Sequence, residues 1–402
     1  MDLLTSRYTI IFFAMIMALA PLASATYIPA FPAIGLALNA SASDVQLTLS
    51  AYMLGMALAQ PIYGPLADRW GRKSMIVLGT SVFAFASLGC LISPSIELLI
   101  VCRFLQAFGA AGGLVLSQAM VRDLFQPLQA ARMLAYIGGV QAMAPAVGPL
   151  LGGAILLGLG WRAIFAVFLV LAAVVLFTVI TQLPETLDPA RRQRMSPATI
   201  LRNYRSVLGN RLFLGHSLTL GFMTGGFYSF MSGAPFVLIE LRGMPAGQFG
   251  GYYLLTILGF ISGSFLTVRL SRSLSSHGVV ILGGLLLAGG GALMMVLELA
   301  GVRTAWAVLG PQVVFTLGSG IMMAHLISGA LLPFPGMAAT AAAAMGFIQM
   351  SAGALTSALV SRAYDGTALP MTLLSAACGV FALLGYLLLV GQQAARTLRC
   401  TP

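Results

Sequence analysis

Charge is what this 402-residue chain has least of: Asp and Glu number 10, Lys and Arg 21, and charged residues make up 8% of the sequence. A soluble domain carries about a quarter of its residues as charges, so a water-exposed globular fold is excluded. The cysteines, Cys90, Cys102, Cys378 and Cys400, stand apart and show neither disulfide nor zinc spacing. His216, His277 and His325 are equally scattered, so no metal site is expected. A Gly-x-x-x-x-Gly-Lys loop for phosphates is missing, which argues against direct ATP drive. No set of nucleophile, acid and base converges within the apolar segments, so the chain does not read as an enzyme and implies no cofactor. The net charge of +11 comes from arginines spaced between apolar runs, not from a basic helix face or tail, so no nucleic-acid partner is expected.

What is abundant is apolar: 59% of residues are hydrophobic and the mean hydropathy is +0.97. Apolar runs fall at 8–34, 45–63, 75–93, 98–121, 133–157, 161–182, 212–239, 250–268, 278–298, 304–331, 338–360 and 369–391. Crossing the hydrocarbon core takes about 20 helical residues, and longer runs tilt. The sequence therefore predicts an all-α polytopic membrane protein with twelve transmembrane helices. A β-barrel would show dyad alternation, which these runs lack.

Positive residues accumulate on cytoplasmic loops. With a cytoplasmic N-terminus that side receives Arg7, Arg69, Arg72, Lys73, Arg122, Arg132, the arginines between 191 and 211, and Arg269, Arg272, Arg396 and Arg399. The outer side keeps only Arg162, Arg242, Arg303 and Arg362, so both termini are expected inside. A competing reading takes the first apolar run and Ala23-Ser24-Ala25 as a secretory signal with its cleavage site. Cleavage there would leave eleven spans and reverse every later loop.

Domain organisation follows from the longest polar connection. It divides the chain into an N-terminal six-helix lobe (1–183), a cytoplasmic linker (184–211) and a C-terminal six-helix lobe (212–402). Ile200, Tyr204, Val207 and Leu208 would let part of the linker lie as an interfacial amphipathic helix, or the stretch is simply disordered. Equal span counts, and Gly263, Arg269 and Arg272 at the place held earlier by the 64–73 loop, favour two pseudo-symmetric lobes with a path between them.

Three segments carry chemistry. The run Gly64-Pro65-Leu66-Ala67-Asp68-Arg69-Trp70-Gly71-Arg72-Lys73 is a charged turn between two spans. Arg103 lies inside the fourth span with Gln106 three residues on; an intramembrane cation is costly unless it meets water or a partner. It reads either as a functional residue or as a clamp that caps carbonyls or snorkels outward. In the fifth span, Pro145, Gly148, Pro149, Gly152 and Gly153 imply a bend against which a neighbour presses closely.

Together these motifs resemble the major facilitator superfamily, and within it the bacterial twelve-span drug:proton antiporters of the bicyclomycin and chloramphenicol resistance (Bcr/CflA-like) branch. Supporting matches are Tyr27-Ile28-Pro29-Ala30-Phe31-Pro32, Arg122-Asp123, Pro184-Glu185-Thr186 and Ala234-Pro235-Phe236 with Glu240. The resemblance implies a monomer of the bacterial inner membrane, surrounded by lipid, that exports small amphiphilic drug-like molecules in exchange for protons by alternating access. It implies that Asp68 faces the positive end of a second-half helix and pairs with cations such as Arg122, latching the cytoplasmic side. Gly64 would permit a close helix contact beneath the latch, and the bent fifth span would pack against the eighth.

One departure matters. Relatives of this branch usually carry an acid two positions before the tyrosine of the Tyr-x-Pro-Ala run, and this chain has Ala25 there. Three routes for coupling stay open: a carboxylate near a span end, Asp123 or Glu240; His325 in the tenth span, as proton carrier or as a packed hydrogen-bonding residue; or proton-independent facilitation, with Arg103 as a fixed positive charge. Tyr27, Tyr52, Gln60, Gln118, Gln141, Met143, Phe227, Tyr228, Phe230 and Met231 sketch a pocket lining. Export or import of a small metabolite, such as a sugar or amino-acid derivative, is the alternative activity.

Overall fold

The computed structural model describes residues 7–187 and 197–391, and among them every regular element is helical. The helices are α1 (Arg7–Ala25), α2 (Phe31–Leu38), α3 (Ala42–Trp70), α4 (Arg72–Leu91), α5 (Ile96–Leu124), α6 (Pro127–Leu159), α7 (Trp161–Gln182), α8 (Pro197–Leu208), α9 (Arg211–Pro235), α10 (Ala246–Leu270), α11 (Ser276–Leu299), α12 (Trp306–Leu331), α13 (Ala338–Ala363) and α14 (Leu369–Tyr386). Polar caps mark several starts. The side chains of Ser41, Ser95, Asn210 and Ser275 each accept a backbone N–H from the first turn of the following helix, satisfying a donor that the helix itself cannot.

Among the described residues, ten helical segments are long and apolar enough to cross a membrane. The two expected spans outside this set are α3 and α6. At about 1.5 Å per residue the 29 residues of α3 reach about 43 Å, but Asp44, Gln46, Asp68 and Arg69 lower its hydropathy. In α6, the apolar stretch among the described residues is Val147–Leu159.

The chain divides into two compact units, Met1–Ile200 and Leu201–Pro402. In the first unit α5 packs on α3 and α4, α4 on α7, and α1 on α5 and α6. In the second, α12 packs on α10 and α11, and α9 and α11 close on α14. The amphipathic helix expected in the linker is present as α8: Val207 is fully buried in the second unit's core beside Phe213, with Tyr204 packed against it. Burial holds the Tyr204 phenol above its ordinary range.

Glycine contacts repeat between the units. In the first, Gly55 of α3 leaves room for the Phe104 carbonyl of α5, and Gly79 of α4 lies against Gly109 of α5. In the second, Gly259 of α10 leaves room for the Val313 carbonyl of α12, and Gly283 of α11 lies against Gly318 of α12. Small residues let these backbones touch, which is how helices associate where lipid removes the hydrophobic drive. The register is shared: Phe104 follows Arg103, and Val313 follows Gln312.

Candidate functional site

The first membrane segment is broken. Helix α1 ends at Ala25, a single 3₁₀ turn covers Ile28–Ala30, and α2 resumes at Phe31. Pro29 and Pro32 bring no backbone N–H, so the helical ladder cannot run through them. The last turn of α1 therefore presents carbonyls that need donors, and the negative end of its dipole faces inward.

Arg103 supplies the charge that this end requires. It is fully buried on α5, and its Nη2 donates to the Ala23 carbonyl at 3.0 Å while Nη1 donates to Gln106 Oε1. The guanidinium carbon lies 3.8 Å from the Tyr27 ring centroid and 4.2 Å from that of Tyr52, with Phe165 at 5.9 Å. Each ring presents a negative π face to the cation. Among the described residues no carboxylate pairs with it; the ion pairs all lie elsewhere. The side chain does not snorkel, and its charge is held by α1's carbonyl end and two tyrosine faces.

The shell around it is committed. Thr48 donates to the Val45 carbonyl at 2.6 Å, so the 3.2 Å contact between Tyr27 Oη and Thr48 Oγ1 has the phenol as donor. Tyr52 Oη donates to the Ala20 carbonyl at 2.7 Å. Gln106 Nε2 donates to Ser87 Oγ at 2.8 Å, and Ser87 donates to the Phe83 carbonyl at 2.7 Å. One network thus ties α1, α3, α4 and α5 at the break. Tyr52 was expected only as pocket lining; its partnership with Arg103 has no local sequence signal.

Helix α6 seats the break. A Cβ on Gly148 would stand 2.8 Å from the Ala25 Cβ, and one on Gly152 would overlap the Thr26 carbonyl oxygen. Pro149 and Gly153 are buried beside them. Within the first unit the close neighbour of this glycine face is the broken first segment. The side chains of Arg122, Gln141 and Pro145 lie outside the described residues.

The charged turn forms a second cluster in the same unit. Gly71 joins α3 to α4 at φ 99°, a conformation that L side chains resist. Arg72 Nη2 pairs with Asp68 at 2.8 Å, and Arg72 Nε lies 3.7 Å from Asp123 Oδ2. Glu185 Oε1 accepts the backbone N–H groups of Arg72, Thr186 and Leu187 at 2.9, 3.0 and 3.1 Å, capping α4, whose own N-cap Gly71 offers no side chain. Lys73 Nζ donates to the Ile180 carbonyl at 2.9 Å, and Arg69 lies 5.4 Å from the Trp70 ring. Asp68 thus has Arg72 as a partner. A Cβ on Gly64 meets nothing within 4 Å among the described residues.

In the sequence Glu185 reads only as a polar span end and part of a family match, because its partner Arg72 is 113 residues away. Replacing Glu185 with Ala removes an acceptor worth about 0.5–2 kcal/mol at a helix start. The thermal midpoint of the purified protein should fall, and Glu185→Gln, which keeps an acceptor oxygen, should restore part of the loss.

The remaining expected site residues lie in the second unit. Tyr228 packs between Phe227 and Gly353 of α13. Glu240 is exposed on a π-helical turn that ends α9. His325 does not sit deep in α12: its Nε2 is 3.1 Å from Ser271 Oγ, at the residue that caps the end of α10. Ser271 donates to the Thr267 carbonyl at 2.8 Å, so His325 serves as donor in this contact.

Many apolar membrane-crossing helices, a discontinuous first segment and a buried cation at its break fit a multi-pass secondary transporter. The Major Facilitator Superfamily model matches residues 13–358, and the chain belongs to that superfamily. An uncharacterized MFS-type transporter, YdgK, of Bacillus subtilis is 32% identical over 89% of this chain and 89% of its own length. A bicyclomycin resistance protein homolog of Haemophilus influenzae is 31% identical over 91% of this chain and 92% of its own. The xylose transporter XylE from E. coli, in a partially occluded inward-open conformation, superposes with a TM-score of 0.73 at 14% identity, covering 96% of this chain and 98% of that one.

Proposed function

We propose that the chain is a twelve-span exporter of moderately hydrophobic, drug-like molecules in the bacterial inner membrane, built as two pseudo-symmetric six-helix lobes with both termini cytoplasmic. The observation that carries this reading is the seating of the broken first segment on Gly148 and Gly152, with Arg103 fixed at the break. A rigid hub of this kind lets a lobe rock as a body during alternating access. The branch resemblance, and the bicyclomycin resistance homolog, support a drug as cargo.

Proton exchange would run through a carboxylate at the charged turn. Asp123 shares Arg72 with Asp68 and accepts from Thr186 Oγ1 at 3.4 Å, so its protonation would weaken one side of the Arg72 pairing. That no carboxylate pairs with Arg103 among the described residues favours a second reading, in which transport is uncoupled from protons.

The test compares bicyclomycin and chloramphenicol susceptibility in a strain lacking its own exporters, with and without the chain. It also measures proton release on drug addition to purified protein, in Asp123→Asn and His325→Gln variants. Unchanged susceptibility sinks drug export, and drug transport without proton release selects the uncoupled reading. Asp68→Asn should leave the thermal midpoint nearly unchanged, because a partly exposed i,i+4 pair contributes about 0.3–0.5 kcal/mol. Drug export should nonetheless fall; retained export would remove Asp68 from the latch.

A further inference from the structure

The apolar face that the sequence offers to the membrane on α8 is turned into the protein instead. Val207 is fully buried in a core that includes Phe213 and Phe334, Tyr204 packs against that core, and Ile200 is half-buried. Ile200, Tyr204 and Val207 follow helical spacing, so they form one stripe. The stripe one residue on is Leu201, Arg205 and Leu208, and it faces outward. Leu201 is 70% exposed and Leu208 41%, with exposed Arg205 between them. Arg202, also exposed, stands one turn before Arg205.

Leucines beside arginines are poorly placed in water and well placed at a membrane surface. Helix α8 lies at such a surface, because only Gly209 separates it from Asn210, the N-cap of membrane-spanning α9. Topology accounts for positive charge here, but it asks for no exposed leucines. Consecutive spans alternate, so the starts of α9, α11 and α13 share one face with the end of α10. Arg202, Arg205, Arg211, Arg269 and Arg272 all belong to that face. The carboxylates of residues 201–391, Glu240, Glu298 and Asp365, stand at or beyond the opposite ends of α9, α11 and α13. Among the described residues neither Arg202 nor Arg205 has an ion-pair partner.

We propose that the outward stripe of α8 is a docking surface for anionic phospholipid, with Arg202 and Arg205 on the phosphodiester oxygens and Leu201 and Leu208 among the first methylenes of the acyl chains. A guanidinium fork matches phosphate oxygens in pairs. A free phosphate would satisfy the arginines and leave the leucines in water, so the two-part stripe favours a lipid. The surface rests on the reading of α9 as a membrane span and is independent of cargo and of proton coupling.

The experiment compares phosphatidylglycerol with phosphatidylcholine for binding to the purified full chain in detergent, read by native mass spectrometry at graded lipid concentration. Replacing both arginines, Arg202→Gln with Arg205→Gln, should weaken phosphatidylglycerol binding by about thirtyfold, about fivefold for each arginine near a membrane surface. Phosphatidylcholine binding should not change. The control, Arg303→Gln with Arg362→Gln, removes the same charge from exposed positions at the opposite end and should alter neither lipid. Leu201→Gln should also weaken phosphatidylglycerol binding, and excess inorganic phosphate should not displace the lipid. Unchanged phosphatidylglycerol binding in either the Gln pair or Leu201→Gln overturns the proposal. Equal loss in the two arginine pairs overturns it in favour of net charge, and displacement by phosphate in favour of a simple anion site. A detergent-stable dimer that Leu201→Gln dissociates overturns it by giving the stripe to a second copy. Should the Gln pair fail to fold, Arg202→Lys with Arg205→Lys keeps the charge and should retain most of the binding, and its loss overturns the surface.

Discussion

Gly152→Ala should yield little or no folded protein. The added methyl would overlap the Thr26 carbonyl oxygen, and the obstacle is backbone at the break between α1 and α2, not the tip of a flexible side chain. Overpacking costs about 1–3 kcal/mol where side chains give way, and this site belongs at the upper end because they cannot. Gly158 on the same helix is the matched control, since a Cβ there meets nothing within 4 Å. Gly158→Ala should stabilise by about 0.5–1 kcal/mol through the lower chain entropy of alanine. The yield of monodisperse protein in detergent and the thermal midpoint decide the matter, and equal behaviour of the two variants would mean that α6 does not seat the break.

This contact explains why the fifth-span motif was legible while its partner was not. Gly148, Pro149 and Gly152 announce a close helix approach by composition alone. Which helix approaches depends on Ala25 and Thr26, more than 120 residues earlier, and nothing local encodes that pairing. The break is readable from Pro29 and Pro32, because proline's missing donor is a local property, but hydropathy alone runs 8–34 together as one continuous span. Arg103 stood out for the same reason: one charge in an apolar run is visible without any structure. Its compensation was hidden, because carbonyls and tyrosine faces, unlike carboxylates, leave no charge pattern to find. At the charged turn the hydrophobic pattern placed α3 and α4, yet Glu185 was passed over as a span-end match. Its carboxylate caps a helix whose N-cap is glycine, a role that requires the end of α7 to return beside the start of α4.

The identity of residue 25 bears directly on coupling. A carboxylate there would sit next to the break and compete with the Ala23 carbonyl for the guanidinium. With alanine, α1's dipole end and the faces of Tyr27 and Tyr52 hold the cation, and among the described residues no carboxylate partners Arg103 at this place. Any proton step then belongs to groups outside the hub, such as Asp123, and the hub itself should behave identically across the pH range in which carboxylates titrate.

Arg103→Lys should therefore abolish transport even though it keeps the charge. Lysine has a compact ammonium in place of a planar fork, so it cannot meet the Ala23 carbonyl, Gln106 and both ring faces at once. One buried acceptor is left unpaired at a cost of about 1–3 kcal/mol, enough to lower the thermal midpoint without unfolding the protein. Arg103→Leu orphans both acceptors and leaves α1's carbonyl end without a cation, so its loss of stability should be larger, although removing a buried charge offsets part of it. Two readouts separate a hub from a passive clamp: the thermal midpoint, and drug accumulation in cells expressing matched amounts of each variant. In a passive clamp, export would track stability, so Arg103→Lys would retain most of it. A hub that fixes the α1 break during alternating access loses export in both variants while Arg103→Lys stays folded. Retained export in a stable Arg103→Lys protein would remove the guanidinium from the transport cycle.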